Sequence, residues 1–278
     1  MVTAMLVAPA GLFLVFLLIL PLAVVLIYSF GERGPAGGYA PAFTLDNYLN
    51  LPARGKAFLN TLTLAPLATF LTAVVAYPMA YFLAVRVSSK WRVLMLVLVM
   101  APFWTSQLLR YYAWMMILGS KGIPSWLAWL GIDDVRLINT PFAVLLGAVY
   151  GFLPLMVPPI YVSLEKLDRR LLEASSDLGA PPWRTFLQVT LPLSLPGVAT
   201  GSMLVFILLM GDYILPQFLG GGKVFFIGNA LVDLFLQSRN WPYGAAVSVA
   251  VVAIMFVTIA VYMRFVLGKS GQQRTALV

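Results

Sequence analysis

Two side chains carry charge where charge is costly. Arg110 falls within the apolar run 93–118 and Asp212 within the run 198–219, and one ionised group at the centre of a bilayer costs roughly 3 kcal/mol on insertion scales. A charge kept at that cost is either paired or faces water. Around Asp212 the string Met210-Gly211-Asp212-Tyr213-Ile214-Leu215-Pro216-Gln217 sets a carboxylate beside an aromatic ring where Gly and Pro interrupt a helix, and interrupted helices at membrane depth are where polar substrate sites are built. The chemistry on offer is recognition of an organic cation. The carboxylate supplies charge pairing, and Tyr213, Tyr111, Tyr112, Trp104 and Trp114 supply ring faces for cation–π contacts of about 0.5 to 2 kcal/mol each. Two plainer readings stand beside it. Arg110 and Asp212 both lie roughly 20 to 26 Å along their helices at about 1.5 Å per residue, so they could pair with each other. Aromatic residues near span ends often serve as interfacial anchors.

Most enzyme chemistries are excluded by what the chain lacks. Zero Cys and zero His remove disulfides, thiol nucleophiles, imidazole bases and the common zinc and haem ligands. An aspartyl dyad of Asp212 and Asp233 would need both carboxylates at one depth, whereas Asp233 falls in a loop outside the bilayer, where it could touch a delivery protein. Gly268-Lys269-Ser270 resembles the end of a phosphate-binding loop, but Met263 stands where that loop needs glycine and no strand precedes it. Any ATP must bind another polypeptide. The net charge of +8 is spread over membrane-flanking loops with no basic stripe, so lipid headgroups account for it and nucleic acid does not.

These residues are held by an all-α, polytopic membrane protein. With 61% hydrophobic and 10% charged residues, the chain is far from the globular norm. Six stretches, 5–30, 58–85, 93–118, 142–163, 198–219 and 244–267, approach or exceed the roughly 20 helical residues that cross a bilayer, and their continuity favours helices over alternating barrel strands. The first has no basic residue ahead of it and is read as a retained span. The turn from Arg86 to Arg92 holds Arg86, Lys90 and Arg92 with no acid, which places it in the cytoplasm. Six spans then put both termini inside, with Lys166, Arg169, Arg170, Arg184, Arg264, Lys269 and Arg274. Gly147-x-x-x-Gly151 and Gly197-x-x-x-Gly201 predict close helix approach.

Between the fourth and fifth spans, residues 164–196 form a polar, charged insert. Asp168 can cap a short helix over 169–178, Gly179 supplies a left-handed stop, and Pro181-Pro182 suits the start of a second helix with Trp183, Phe186 and Leu187 on its apolar side. Leu191-Pro192 and Pro196-Gly197 are expected to end that helix before the fifth span. Two amphipathic helices meeting at a glycine corner make a knob that fits a cleft on a partner. Glu173 stands one turn after Arg169, and its plainer role is an intrahelical ion pair worth a few tenths of a kcal/mol.

The string Glu173 to Gly197, EASSDLGAPPWRTFLQVTLPLSLPG, resembles the EAA loop of ABC-importer permeases. Glu173, Ala174, Gly179, Leu191 and Pro192 fall on its pattern, and Ser175 stands where the second alanine is usual. PFWTSQLLRYYAW (102–114), LEKLDRRLLEAS (164–175) and RNWPYGAA (239–246) resemble spermidine/putrescine-type permeases. The resemblance implies a type I ABC importer (MetI-like) permease fold over 1–278, a single transmembrane domain with a coupling loop at 164–196. It also implies two ABC ATPase subunits holding ATP and Mg, a second and different permease subunit, a periplasmic solute-binding protein, and residence in the bacterial inner membrane. Polyamines are the expected cargo; an amino-acid derivative, ferric iron or a phosphonate is the alternative, and a stand-alone ion-coupled carrier the more distant one.

Overall fold

The structure, a computed structural model, describes the chain from residue 2 to residue 275, and its side chains over residues 8–264 except 10 and 169. Arg169, Lys269, Arg274 and Gly268-Lys269-Ser270, discussed above, lie outside the described side chains. Regular structure is helical apart from one antiparallel ladder of two residues a side, β1 (Glu32–Arg33) and β2 (Tyr39–Ala40), with Glu32 opposite Ala40.

Among the described residues, five helical segments are long and apolar enough to cross a membrane. The first, Gly11–Ser29, lies in α1 (Val2–Ser29). After the short α2 (Asp46–Leu49), the second, Leu51–Arg86, is built on α3 (Gly55–Tyr81). Next come α4 (Ser89–Met100), α5 (Gln107–Leu118) and α6 (Ile123–Trp129), and then α7 (Pro141–Glu165), which is a span by itself. The insert holds α8 (Arg169–Asp177) and α9 (Pro182–Thr185); α9 runs on into α10 (Leu191–Gly211) as one span, Pro182–Gly211. Beyond it α11 (Ile214–Leu219) and α12 (Ile227–Val232) are short, and α13 (Trp241–Thr275) carries the span Trp241–Arg264. A sixth candidate is the bent pair Ser89–Trp104 and Gln107–Trp129, which meet at 85° and form either one broken span or a re-entrant loop.

The core sits where α7 packs between α3 and α10. The buried face of α3 is almost wholly Ala and Thr, at Ala57, Thr61, Ala65, Ala68, Thr69, Thr72, Ala76 and Ala80, so its backbone comes close to its neighbours. Thr69 and Thr72 turn their hydroxyls back onto the carbonyls of Ala65 and Ala68 at 2.8 and 2.7 Å, which hides them from the apolar surroundings. Both glycine pairs do what their spacing predicts. Gly147 receives the side chains of Leu215 and Leu219 from α11, Gly197 lies against Pro159 and Ser163 of α7, and Gly201 against Met156.

Three expectations are corrected. The run 93–118 is not one helix: after Pro102, in a tight turn over Ala101–Trp104, Thr105 and Ser106 are extended (ψ 152° and 128°). A proline cannot donate the next helical bond, and the Thr105 hydroxyl covers the carbonyl of Pro102 at 2.7 Å instead. The run 198–219 breaks at Asp212, whose ψ is 129°. The second knob helix does not end at Leu191-Pro192 or Pro196-Gly197 but continues to Gly211. A widened π turn over Phe186–Thr190 precedes Pro192, and such a turn absorbs the amide that proline lacks.

Filling the α7–α10 contact tests this packing. Gly197→Val would drive two methyl groups into the Pro159 carbonyl and the Ser163 side chain, at a cost of at least about 1 to 3 kcal/mol. The expected outcome is a lower melting temperature and poor recovery from mild detergent, while Gly11→Val, in open space on α1, should be recovered as the wild type.

Candidate functional site

The helices that follow the two breaks are brought together. Below the first, α5 packs against both α11 and α7: Tyr112 meets Phe218 edge to face at 5.0 Å, and Trp114 meets Tyr150 of α7 at 5.5 Å. Tyr111 is 1% exposed, accepts a hydrogen bond from Gln107 Nε2 at 2.8 Å, and lies beside the Asp212 carboxyl. Arg110, Tyr111 and Asp212 therefore share one layer. Trp104 does not join them; it sits at the first break and is 70% exposed.

Arg110 and Asp212 share this layer without pairing. Among the described residues the ion pairs are Arg54 with Asp233 and Arg92 with Glu165. Arg110 Nη1 reaches the Gly151 carbonyl at 3.5 Å, and its Nε has no partner. Asp212 uses Oδ1 to accept from the amides of Ile214 and Leu215 at 2.9 and 3.2 Å, capping α11 across the break. Its Oδ2 is buried and unpartnered. One oxygen holds the backbone, and the nearest side-chain donor to the carboxyl is the Tyr111 hydroxyl.

Beyond the break, Tyr213 lines a polar cavity with Gln217, Asn229, Asp233 and Gln237. Asp233 is not in a loop, as its sequence position suggested; it opens a π turn, Asp233–Gln237, that extends α12. The Gln217, Asn229 and Gln237 amides were not picked out from the sequence. Asn229 was the visible signal, an amide inside the apolar stretch 224–232 that has to be satisfied if buried. It accepts from the Phe226 amide at 3.1 Å and donates to the Tyr213 carbonyl at 2.9 Å.

At the opposite end the insert has the capped first helix and the glycine corner its residues predict, while its second helix is the start of the span Pro182–Gly211. Asp168 caps α8 through the Arg170 amide at 3.0 Å, and Gly179 turns the chain at φ +78°. The Ser175 hydroxyl bonds that of Thr185 at 2.9 Å, pinning the two helices, so serine at that position contributes a contact alanine could not. Glu173 and Ala174 are exposed, as are Leu178 and Trp183, with Arg184 over the Trp183 ring at 5.7 Å. Leu191 and Pro192 belong to the root of α10, where Phe186 packs edge-on against Tyr77 and Tyr81 of α3. Beneath the knob a cavity of about 260 Å³ is shared by Glu173, Arg92 and Glu165. Arg92 bonds Glu165 at 3.2 Å, and Tyr161 donates to the same oxygen at 2.6 Å.

A multi-pass helical domain with paired breaks in its core and a knob between two spans is the architecture of an importer's membrane subunit. The chain belongs to the family of binding-protein-dependent transport system inner membrane components, which matches residues 12–268. It is a permease subunit of a binding-protein-dependent ABC importer with the MetI-like fold, and not itself an enzyme. Among its relatives, the spermidine/putrescine transport system permease protein PotB of Haemophilus influenzae is 41% identical over 256 residues, 90% of this chain and 89% of that one. PotB of Escherichia coli K12 is also 41% identical, over 90% and 93%. The E. coli inner membrane ABC transporter permease protein YdcU is 36% identical over 81% and 76%. A bacterial ABC transporter that imports the acidic polysaccharide alginate shares the fold, with a TM-score of 0.74 at 18% identity over 95% of this chain and 94% of that one.

The split role of Asp212 is measurable. Asp212→Ala should cost about 1 kcal/mol through the lost cap, whereas Asp212→Asn keeps an acceptor and should melt within a degree or two of the wild type. A double-mutant cycle with Arg110→Gln should give a coupling below about 0.5 kcal/mol; a larger value would restore the ion pair.

Proposed function

We propose that this chain forms one half of the membrane pathway of a polyamine importer, with putrescine or spermidine as cargo. The observation that carries the cargo is the 41% identity, over nine-tenths of the chain, to permeases named for those two solutes. The chemistry of the breaks supports it. Asp212 holds one carboxylate oxygen unpartnered beside Tyr111, and Tyr213 follows it at the cavity edge, a pairing of anion and ring faces suited to an alkylammonium. Arg110, on the same layer, repels a second cation and would limit how deeply it rests; Trp104 faces outward and has a weaker claim.

In this reading the insert 164–196 docks on an ATPase subunit through Glu173, Ala174, Ser175 and the exposed apolar residues around Gly179, with Leu191 and Pro192 at its root. Two ATPase copies bind the ATP and Mg, and a second, different permease completes the pathway. A periplasmic binding protein delivers the solute to the end opposite the insert. Both termini face the cytoplasm. The exposure of Leu178 and Trp183 on a knob held firmly by Gly179 and the Ser175–Thr185 bond supports a protein-facing surface.

Mild-detergent purification from native membranes, with mass spectrometry of the partners, tests the assembly. An ATPase, a second permease and a binding protein that retains polyamine are expected. Glu173→Arg should insert normally and lose the ATPase from that preparation; normal recovery of the ATPase would refute the docking role. Asp212→Asn should leave the complex assembled and lower uptake of a cationic solute about tenfold, the scale of a lost charged hydrogen bond.

A further inference from the structure

The cavity beyond the second break measures about 390 Å³. In a chain that is 61% hydrophobic it gathers one phenol, three carboxamides and one carboxylate, from Tyr213, Gln217, Asn229, Gln237 and Asp233, beside Phe225 and Val232. A larger groove of about 770 Å³ along α3 and α10 is lined instead by residues such as Leu62, Phe70, Val74 and Phe206, as expected beside lipid or another apolar helix. Asn229 is fully engaged: besides its backbone bonds it donates to Gln217 Oε1 at 3.2 Å, which orients that amide. The carboxylate is not bare. Arg54, just before α3, donates Nη2 to Asp233 Oδ2 at 2.8 Å, with both side chains about three-tenths exposed.

A partly exposed pair of this kind contributes little, about 0 to 1 kcal/mol, so another cation can compete for the carboxylate at small cost. A primary ammonium is a compact charge with three donors. On Asp233 it would find a carboxylate, with the Gln237 amide oxygen and the Tyr213 phenol in the same cavity as further acceptors. We propose that Asp233 is a receiving site for one ammonium end of the cargo and that Arg54 is a resident cation which the cargo displaces. Between deliveries Arg54 keeps the carboxylate neutralised, so the cavity does not retain small cations. This rests on the polyamine reading above and extends it from Asp212 to a second carboxylate further toward the end opposite the insert.

The competing explanation is a strap: the same pair fastens the turn after α12 to the start of α3. Charge exchange separates the two. The complete importer, with its binding protein, is reconstituted in proteoliposomes, and uptake of labelled putrescine is measured below saturation. Asp233→Asn is expected to lower uptake about tenfold, and Arg54→Gln to raise it about threefold by removing the competitor. The reversed pair, Arg54→Asp with Asp233→Arg, rebuilds the bridge but puts a fixed cation in the cavity, and should transport as poorly as Asp233→Asn. Equal losses in the two single variants with recovery in the reversed pair, or failure of Arg54→Gln to assemble, would make the pair a strap and overturn the proposal. If the wild-type complex hydrolyses ATP with its binding protein yet moves neither putrescine nor spermidine, the cargo reading fails, and the receiving site with it.

Discussion

A backbone that leaves the helix inside hydrocarbon must find substitutes for the hydrogen bonds it gives up, because no water is there to supply them. The structure meets this demand at each break with groups close in sequence. At Thr105 and Ser106 the threonine hydroxyl turns back onto the Pro102 carbonyl, and the Ser106 carbonyl takes the Arg110 amide at 3.2 Å. At Asp212 one carboxylate oxygen takes two amides of the following helix. The break at Asp212 is tolerable because protein packs it, with Gly228 of α12 lying against the Asp212 carbonyl, whereas Thr105 and Ser106 are exposed; polar groups left over at such places are those a polar solute can use. Site and break are one feature seen from two sides.

The second requirement is closeness. Small residues on α3 and glycines on α7 and α10 let three spans approach until backbone meets side chain directly, and in lipid this packing has to replace the hydrophobic drive that water would supply. Polar hydroxyls survive in that contact because they bond within their own helix. Two hydroxyls also bond across helices: Ser194 of α10 meets the Tyr77 hydroxyl at 2.8 Å, and Thr61, besides the Ala57 carbonyl at 2.8 Å, takes the Ile227 amide at 2.9 Å. With Asn60, which donates to the Phe225 carbonyl at 3.2 Å, Thr61 ties α12 to α3.

Much of this was legible in the residues. Five of the six spans, the glycine contacts, the Asp168 cap and the Gly179 corner are set by local composition and backbone preference, which read directly from neighbouring positions. What escaped reading depends on geometry across the chain. The 85° bend at Thr105 lies within a run whose apolar content gives no sign of it, since Pro102 alone is compatible with a mere kink. Leu191-Pro192 looked like a stop because a five-residue widened turn ahead of a proline leaves no compositional mark. Counting along the two helices brings Arg110 and Asp212 to similar heights, but height does not fix the direction a side chain takes, and each has backbone partners instead. Asp233 was taken for a loop residue because the short α12 ahead of it is too brief for its periodicity to show.

The continuity of α9 with α10 gives the molecule a mechanical property. Pro182–Gly211 is one helical segment of 30 residues, about 45 Å long at 1.5 Å per residue, with the Ser175–Thr185 bond at one end and the Asp212 break at the other. A rod of that length held near its middle by Gly197 and Gly201 against α7 is a lever with a fulcrum. Pivoting it by about 5° shifts each end by roughly 2 Å in opposite senses, given that half-length. That is enough to make or break a hydrogen bond, so a displacement at the Thr185 end would be matched by an opposite one at the Asp212 end.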